Sequence, residues 1–150
     1  MEGQVEMGNQ IQIDLKGVDL KPIDEIMQGR QGVFVTFFPH IDTPVSKFQL
    51  EDMRNSYASI VQNNYDLVAV TLEDIPQAIK ELELPFRVIK DKNERLAEVF
   101  RVLKKGISGK ICLRRTFFLT PEFKAQITIN DLNEAIQLIT KSTNRWNALA

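Results

Sequence analysis

The chain has 150 residues, 43% of them hydrophobic, which is sufficient for one compact domain with a single core. Its 19 basic and 20 acidic residues leave a net charge of -1, so no long-range field attracts nucleic acid or an anionic membrane. No apolar run reaches the ~18 residues that cross a bilayer and no signal-peptide pattern opens the chain, so we expect a cytoplasmic protein. The single cysteine, Cys112, excludes an internal disulfide, a Cys-x-x-Cys redox pair and a multi-cysteine zinc site within one chain, and we expect neither metal nor cofactor.

The first predicted elements are two strands and a long helix. Apolar and polar residues alternate over 11–15, which indicates a short edge strand, whereas 32–38 (GVFVTFF) is a nearly continuous apolar run typical of a central buried strand. After a loop over 39–44, apolar residues recur at helical spacing from Phe48 until Asn63. This order predicts strand, loop and long helix.

The middle of the chain continues the alternation. A buried strand is predicted over 66–72, followed by a helix from about Asp74 with Pro76 in its first turn. A short strand covers 86–89. The helix after it, over 93–106, begins at a capping asparagine, carries an apolar stripe and ends near a glycine.

The last predicted elements are a β-hairpin and a helix, over 111–119, 124–129 and 131–141, with a turn at 120–123. Alternating strands and helices imply right-handed parallel crossovers, and the hairpin adds an antiparallel strand. We therefore expect an α/β protein with a thioredoxin-like fold, in which a mixed central sheet has helices on both faces and ends in a hairpin plus helix. A flavodoxin-like fold fits less well because no Gly-rich phosphate loop follows a strand. One domain over 1–150 is expected, with loosely held ends at 1–9 and 142–150.

The most informative stretch joins the end of strand 32–38 to the start of the next helix. Here Pro39, Thr43 and Ser46 occupy the positions of a Pro-x-x-x-Thr-x-x-Cys pattern. This pattern resembles the active-site motif of the peroxiredoxins, and the resemblance extends over roughly residues 10–140. It is strongest to the bacterioferritin-comigratory type, with Ser46 where that family carries its peroxide-reducing cysteine. The family also has an arginine ahead of a Ser/Thr-Phe strand, which in this register is Arg114 rather than Arg115.

The resemblance implies a role for each matched residue. Thr43 would orient the peroxide, Pro39 would shield the pocket from water and Arg114 would stabilise the developing negative charge. A helix N-terminus and a guanidinium lower the pKa of a thiol, but a serine hydroxyl stays protonated and has no sulfenic acid state. A second, resolving cysteine is often found five residues after the first, where this chain has Glu51.

Two hypotheses for function follow. The first is a peroxiredoxin-like protein that lacks the peroxidatic cysteine, is inactive as a peroxidase and acts as a binding or regulatory domain. The alternative is a thiol-dependent peroxidase, an antioxidant oxidoreductase, whose catalytic cysteine is replaced by Ser46. Expected partners are peroxide or another small molecule in the relic pocket and a protein partner or a second copy of the chain. A homodimer could form through apolar residues around the site, namely Phe38, Ile41, Val45 and Phe48.

Other interpretations of the same residues stay open at this point. Ser46 could be an ordinary helix N-cap, and with His40 as general base it could serve a hydrolase. Arg114 could pair with a surface carboxylate. On an extended strand over 111–119 it would share a face with Cys112, which is either a displaced reactive thiol or a small core residue.

Overall fold

The structure, a computed structural model, describes residues 12–107 and 109–127. Its strands are β1 (Gln12–Asp14), β2 (Gly32–Phe38), β3 (Tyr65–Thr71), β4 (Arg87–Lys90), β5 (Leu103–Gly106), β6 (Gly109–Cys112), β7 (Arg115–Leu119) and β8 (Lys124–Ile127). Its α-helices are α1 (Ile23–Met27), α2 (Pro44–Gln62), α3 (Gln77–Lys80) and α4 (Arg95–Val99), with a 3₁₀ turn over Lys92–Glu94 before α4.

Six of the strands form one mixed sheet in the order β1-β8-β7-β2-β3-β4. Strands β2, β3 and β4 run parallel, whereas β7, β8 and β1 join by antiparallel pairing. Strands β5 and β6 pair only with each other in a separate two-stranded sheet, which we call the β5–β6 hairpin. The mixed α/β architecture predicted from the sequence is confirmed.

Strand β2 is the centre of the sheet, and all seven of its residues are buried. Gly32 begins it at a close approach, because a Cβ there would lie 2.4 Å from Cζ of Phe118 on the neighbouring strand β7. The one polar side chain of the strand, Thr36, meets the hydroxyl of Thr116 on β7 at 3.1 Å. A buried hydroxyl costs little free energy when it is hydrogen-bonded, and here the two threonine hydroxyls satisfy each other between β2 and β7.

Two hydrophobic cores lie on opposite faces of the sheet. On one face α1 and α4 pack against the sheet with Ile23, Met27, Leu96 and Ala97, and Phe100 after α4 contacts the rings of Phe37 and Phe117. On the other face α2 and α3 bury Leu50, Met53, Ile60 and Ile79 against Phe34 and Leu67. The expected placement of helices on both faces is therefore correct, and each core excludes water from one side of β2.

Several element boundaries follow the sequence pattern, and others do not. Strand β2 has its predicted limits, and α2 ends at Gln62 with Asn63 as its C-cap, where the helical pattern was expected to stop. The helix predicted from Asp74 is shorter in the structure, where α3 begins at Gln77. Pro76 is the N-cap of this helix and not part of its first turn. Helix α1 was not predicted, since a single turn of five residues is too short to show a helical period.

The predicted helix over 93–106 is wrong in both its cap and its length. The buried carboxylate of Asp91 accepts hydrogen bonds from the backbone N–H groups of Leu96 and Ala97, both at 2.8 Å. Asp91 therefore caps the start of α4, the role that the sequence pattern predicted for Asn93. Asn93 instead has a left-handed backbone, with φ +60. Helix α4 ends at Val99, and the residues after Val102 form β5.

The predicted strand over 111–119 is wrong because two strands replace it. Strand β6 ends at Cys112 and β7 starts at Arg115, so Leu113 and Arg114 form a break between them. Cys112, Arg114 and Thr116 therefore do not share one face of a continuous strand. The predicted helix 131–141 and the ends 1–9 and 142–150 lie outside the described residues. No helix within the described part is long and apolar enough to span a membrane.

Candidate functional site

The site is built where β2 ends and α2 begins. Thr43 has an extended backbone, with φ -130 and ψ 158, and its Oγ1 accepts a hydrogen bond of 3.2 Å from the backbone N–H of Ser46. Thr43 is thus the N-cap of α2, and Pro44 follows as the first helical residue, where its missing N–H costs nothing. The interpretation of Ser46 as the N-cap is wrong, since Ser46 is the third residue of the helix.

The side chain of Ser46 is completely buried and has its hydrogen-bonding groups paired. Its hydroxyl donates to the carbonyl oxygen of His40 at 2.5 Å. The same Oγ accepts from Nη2 of Arg114 at 2.9 Å. The His40 carbonyl also accepts from Oγ1 of Thr43 at 3.4 Å. This one carbonyl oxygen therefore accepts hydrogen bonds from the hydroxyls of both Thr43 and Ser46.

Arg114 reaches this point from the break between β6 and β7. Its Nη1 donates to Oε1 of Gln49 at 2.8 Å, and its guanidinium carbon lies 5.4 Å from the centre of the Phe38 ring. Among the described residues no carboxylate forms an ion pair with Arg114, and its two side-chain partners are Ser46 and Gln49. Partial burial lowers the pKa of Arg114, yet a guanidinium remains charged at neutral pH.

Three of the four predicted site residues therefore meet directly. Pro39 is half-buried and follows β2 immediately, so it forms the first residue of the loop that carries the His40 carbonyl. Sequence reasoning missed the contribution of Gln49, although its position three residues after Ser46 puts it on the same face of α2. It also missed the backbone carbonyl of His40, because a main-chain group leaves no signal in the sequence.

The imidazole of His40 faces away from this arrangement. Its Nδ1 lies 3.0 Å from Oε2 of Glu73, in an exposed pair, and the neighbouring Asp42 pairs with Lys47 at 3.1 Å. Ser46 bonds to the His40 carbonyl and not to the His40 ring. The hydrolase interpretation is contradicted, since it requires a base within hydrogen-bond reach of the serine hydroxyl.

Cys112 lies apart from the site in the core formed with α1 and α4. Burial raises its pKa to about 11, the Asp91 and Glu94 carboxylates add to the increase, and the Arg114 guanidinium opposes it. The thiol donates a weak hydrogen bond of 3.6 Å to the carbonyl of Leu113. A thiol with this pKa is almost entirely protonated at neutral pH, so the environment is that of a core residue and not of a nucleophile.

The surroundings of the site contain both buried and exposed apolar residues. Phe38 and Ile41 are fully buried beneath α2, whereas Val45 and Phe48 on the first turns of the helix are 65% and 71% exposed. Only the latter two can meet another molecule, and a homodimer through them stays a prediction. Glu51, at the position of a resolving cysteine, is exposed near Arg54, with a separation of 3.8 Å.

The chemistry of this arrangement depends on its positive charge. The N-terminus of α2 and the Arg114 guanidinium both converge on the atom at position 46, and each stabilises negative charge there. A thiolate at this position would be favoured by both. No cluster of metal-binding side chains is found among residues 12–107 and 109–127.

The sequence matches the model of the AhpC/TSA family over residues 9–126, and the chain belongs to this family. Peroxiredoxins with the same fold are among the similar solved structures. A cysteine-to-serine mutant of PrxQ from Xylella fastidiosa has a TM-score of 0.66 at 15% identity, covering 81% of this chain and 82% of that chain. The peroxidoxin BcpB from Mycobacterium tuberculosis has a TM-score of 0.64 at 17% identity, with coverages of 80% and 82%.

A third similar structure is the bacterioferritin comigratory protein of Xanthomonas campestris, whose alkyl peroxide reduction was studied in trapped complexes. Its TM-score is 0.63 at 17% identity, covering 78% of this chain and 80% of that chain. Comparison with curated proteins gives no match. At these identities the structural similarity establishes the thioredoxin-like peroxiredoxin fold, and the chemistry of this chain depends on its own residues.

Proposed function

We propose that this member of the AhpC/TSA family does not reduce peroxides on its own and acts as a binding or regulatory domain. The observation that carries the proposal is the bonding of Ser46. Its hydroxyl donates to the His40 carbonyl and accepts from Arg114, and it stays neutral near pH 7 because an alcohol is a far weaker acid than a thiol. A neutral alcohol neither attacks peroxide as a thiolate does nor stores the oxygen as a sulfenic acid.

The state of the other candidate nucleophile supports the same conclusion. Cys112 is the only cysteine in the chain, and with a pKa of about 11 only about one molecule in 10⁴ would carry the thiolate at neutral pH. It is buried in the core formed with α1 and α4, whereas α2 packs in the core on the opposite face of the sheet. We therefore assign it no role in a peroxidase reaction.

The site nevertheless keeps polar groups that could contact a small polar molecule. Arg114 contacts Ser46 and Gln49 and has more N–H groups than these two contacts use. Thr43 is half-buried at the helix cap, and Pro39 is half-buried at the start of the loop. These four residues, Pro39, Thr43, Ser46 and Arg114, are our proposed binding site, for a peroxide or another small polar molecule.

A gain-of-function experiment tests the proposal. Peroxide consumption with dithiothreitol as reductant is followed for the protein as it stands, for Ser46→Cys and for Ser46→Cys/Arg114→Ala. We expect the unchanged protein to be no faster than the reductant alone. Ser46→Cys should gain a saturable activity because the helix N-terminus and guanidinium would stabilise its thiolate, and Arg114→Ala should remove most of that gain.

The controls separate loss of chemistry from loss of fold. Cys112→Ala should leave the activity of Ser46→Cys unchanged, and circular dichroism should show each variant folded. Saturable peroxide consumption by the unchanged protein would contradict the proposal. A folded but inert Ser46→Cys would show that the pocket no longer suits peroxide, and would leave binding of another molecule as its function.

The second candidate is the thiol-dependent peroxidase whose cysteine is replaced by Ser46. It is favoured by the direct contact between Arg114 and the atom at position 46, which is where a thiolate would need a cation. The residue encoded at position 46 of the native gene decides between the two. A serine codon removes this candidate, and a cysteine codon establishes it in place of the first.

A further inference from the structure

The β5–β6 hairpin carries an unusual combination of charge and exposed apolar surface. Lys105 on β5 and Lys110 on β6 are directly paired across the two strands. Like charges in this position repel each other, because the side chains of a cross-strand pair lie on one face about 5 Å apart. Lys110 has partial compensation from Glu94 at 3.7 Å, but Lys105 has no ion pair among the described residues.

The apolar residues of the hairpin are exposed beside these lysines. Ile107, at the turn, is fully exposed, and Ile111 on β6 is 52% exposed. Isolated exposed apolar residues are common on protein surfaces, but here Ile107 lines the same groove as the three lysines of the hairpin. Ile111 is paired with Lys104 and therefore lies on the face of the hairpin opposite to Lys105 and Lys110. Both features lie on an element that pairs with no other strand of the described chain.

The hairpin also forms one wall of an open groove. The groove has a volume of about 570 Å³ and lies between the hairpin and Glu98 of α4. Leu103, Gly106 and Ile107 give it an apolar lining, and Lys104, Lys105 and Lys110 stand around it. Its dimensions are those of a site for a few side chains, and Glu98 is its one acidic residue among the lining groups.

We propose that this groove binds an acidic protein segment in which carboxylate side chains alternate with apolar ones. The apolar side chains of such a segment would cover Leu103 and Ile107, and its carboxylates would relieve the repulsion between Lys105 and Lys110. Charge complementarity identifies the partner as acidic, and the apolar side chains of Leu103 and Ile107 in the groove make a peptide with apolar side chains fit better than a purely polyanionic surface. The site is independent of Ser46 and would exist whichever chemistry position 46 carries.

A charge reversal at Lys105 gives a sharp test. The probe is a fluorescent synthetic peptide of about six residues, the length of an ordinary strand, in which glutamate alternates with leucine. A matched peptide has lysine in place of each glutamate. Fluorescence anisotropy should show saturable binding of the acidic peptide to the full chain and none of the basic peptide.

Lys105→Glu should weaken this binding about tenfold or more, because it places a like charge against the peptide carboxylates. The same substitution creates a Glu–Lys cross-strand pair with Lys110, so the thermal midpoint of the variant should be unchanged or higher. Loss of binding in a protein that is at least as stable cannot be attributed to unfolding. Ile107→Ser should also weaken binding, since it removes apolar contact without changing charge.

Lys16→Glu is the matched control, because it makes the same change in net charge at an exposed lysine that does not line the groove. It should bind the peptide as the unchanged protein does. Equal weakening by both lysine variants would overturn the proposal by showing attraction to net charge alone. Absence of saturable peptide binding, equal binding of the basic peptide, or binding only to phosphatidylserine vesicles would overturn it as well.

Discussion

Ser46 and Cys112 lie in surroundings of opposite electrostatic character. The oxygen of Ser46 receives a hydrogen bond from a guanidinium and lies in the first turn of a 19-residue helix. Burial, with smaller contributions from the Asp91 and Glu94 carboxylates, raises the pKa of the Cys112 thiol to about 11. The environment that would activate a thiol therefore holds a hydroxyl, and the only thiol of the chain lies where burial keeps it protonated at neutral pH. A reactive cysteine requires both the atom and its surroundings, and this chain separates them.

The largest expected effect comes from moving the sulfur into the activating environment. In the double variant Ser46→Cys/Cys112→Ala, we expect a thiol pKa below about 8.5, against about 11 for Cys112 in the unchanged protein. The thiolate fraction at neutral pH should rise by a factor of about 100 or more. Ultraviolet absorbance of the thiolate during a pH titration measures the pKa, and the rate of iodoacetamide alkylation measures the reactivity.

Adding Arg114→Ala to that double variant should raise the thiol pKa again, since the guanidinium that contacts position 46 is removed. Arg114→Lys should restore part of the difference, because it keeps the charge but loses the fork that reaches both Ser46 and Gln49. A pKa for the introduced thiol equal to that of Cys112 would show that the two environments do not differ.

The next effect is on stability at alkaline pH. The folded-state pKa of Cys112 lies above its ordinary unfolded value, so the folded protein holds the thiol proton more tightly than the unfolded chain does. This contribution is complete below about pH 8.5 and is lost as the pH rises toward 11. We expect on the order of 2 kcal/mol of unfolding free energy to disappear across that window.

Urea unfolding at the two ends of the window measures this loss, and Cys112→Ala is its control. Other groups titrate in the same range, but their contribution is common to both proteins. The alanine variant should therefore lose less stability than the unchanged protein between the two pH values. Equal losses would mean that burial and the Asp91 and Glu94 carboxylates do not hold the thiol neutral.

The smallest effect concerns the cap that positions Ser46. Thr43→Ala removes the acceptor for the Ser46 N–H and one of the donors to the His40 carbonyl, so we expect a loss of about 1 kcal/mol in chemical denaturation. Thr43→Ser should retain most of the stability because its hydroxyl can make the same bonds. Alkylation of Cys112 should not change in either variant, since the two regions belong to different cores; a change would show that they are coupled.

The fold was predictable where one physical rule dominated. The apolar run of β2 could only be a buried strand, and the spacing of apolar residues in α2 could only be a long helix. The stretch around Asn93 failed because capping by Asp91 acts across a 3₁₀ turn, at a distance along the chain that local patterns do not register. The break at Leu113 and Arg114 was not predicted because no turn residue such as glycine or proline occurs within 111–119 to signal that the strand changes its pairing partner.

The candidate site was predictable as a set of residues but not as a set of bonds. Motif spacing brought Thr43 and Ser46 to one helix start, and resemblance to a family linked them to Arg114. Thr43 caps the helix and Ser46 is a buried acceptor inside it. Which of the two residues is the cap depends on the backbone geometry of the loop, which the sequence pattern does not show. Gln49 accepts a hydrogen bond from Arg114, and this tertiary contact could not be predicted because it depends on the position of the guanidinium in the folded chain.

The contact between Arg114 and Ser46 joins residues that are 68 positions apart, and this separation has a consequence for folding. Strand β3 can pair with β2 through a local crossover, but β7 reaches β2 only after the intervening chain has closed a much larger loop, as the 80-residue span from Thr36 to Thr116 illustrates. Closing a larger loop costs more conformational entropy, and distant pairings of this kind slow folding. The cap of α2 can form early, because Thr43 and Ser46 are neighbours in sequence. The Arg114 guanidinium reaches Ser46 only after β2 and β7 have paired, so the complete site exists only once this long-range pairing has formed.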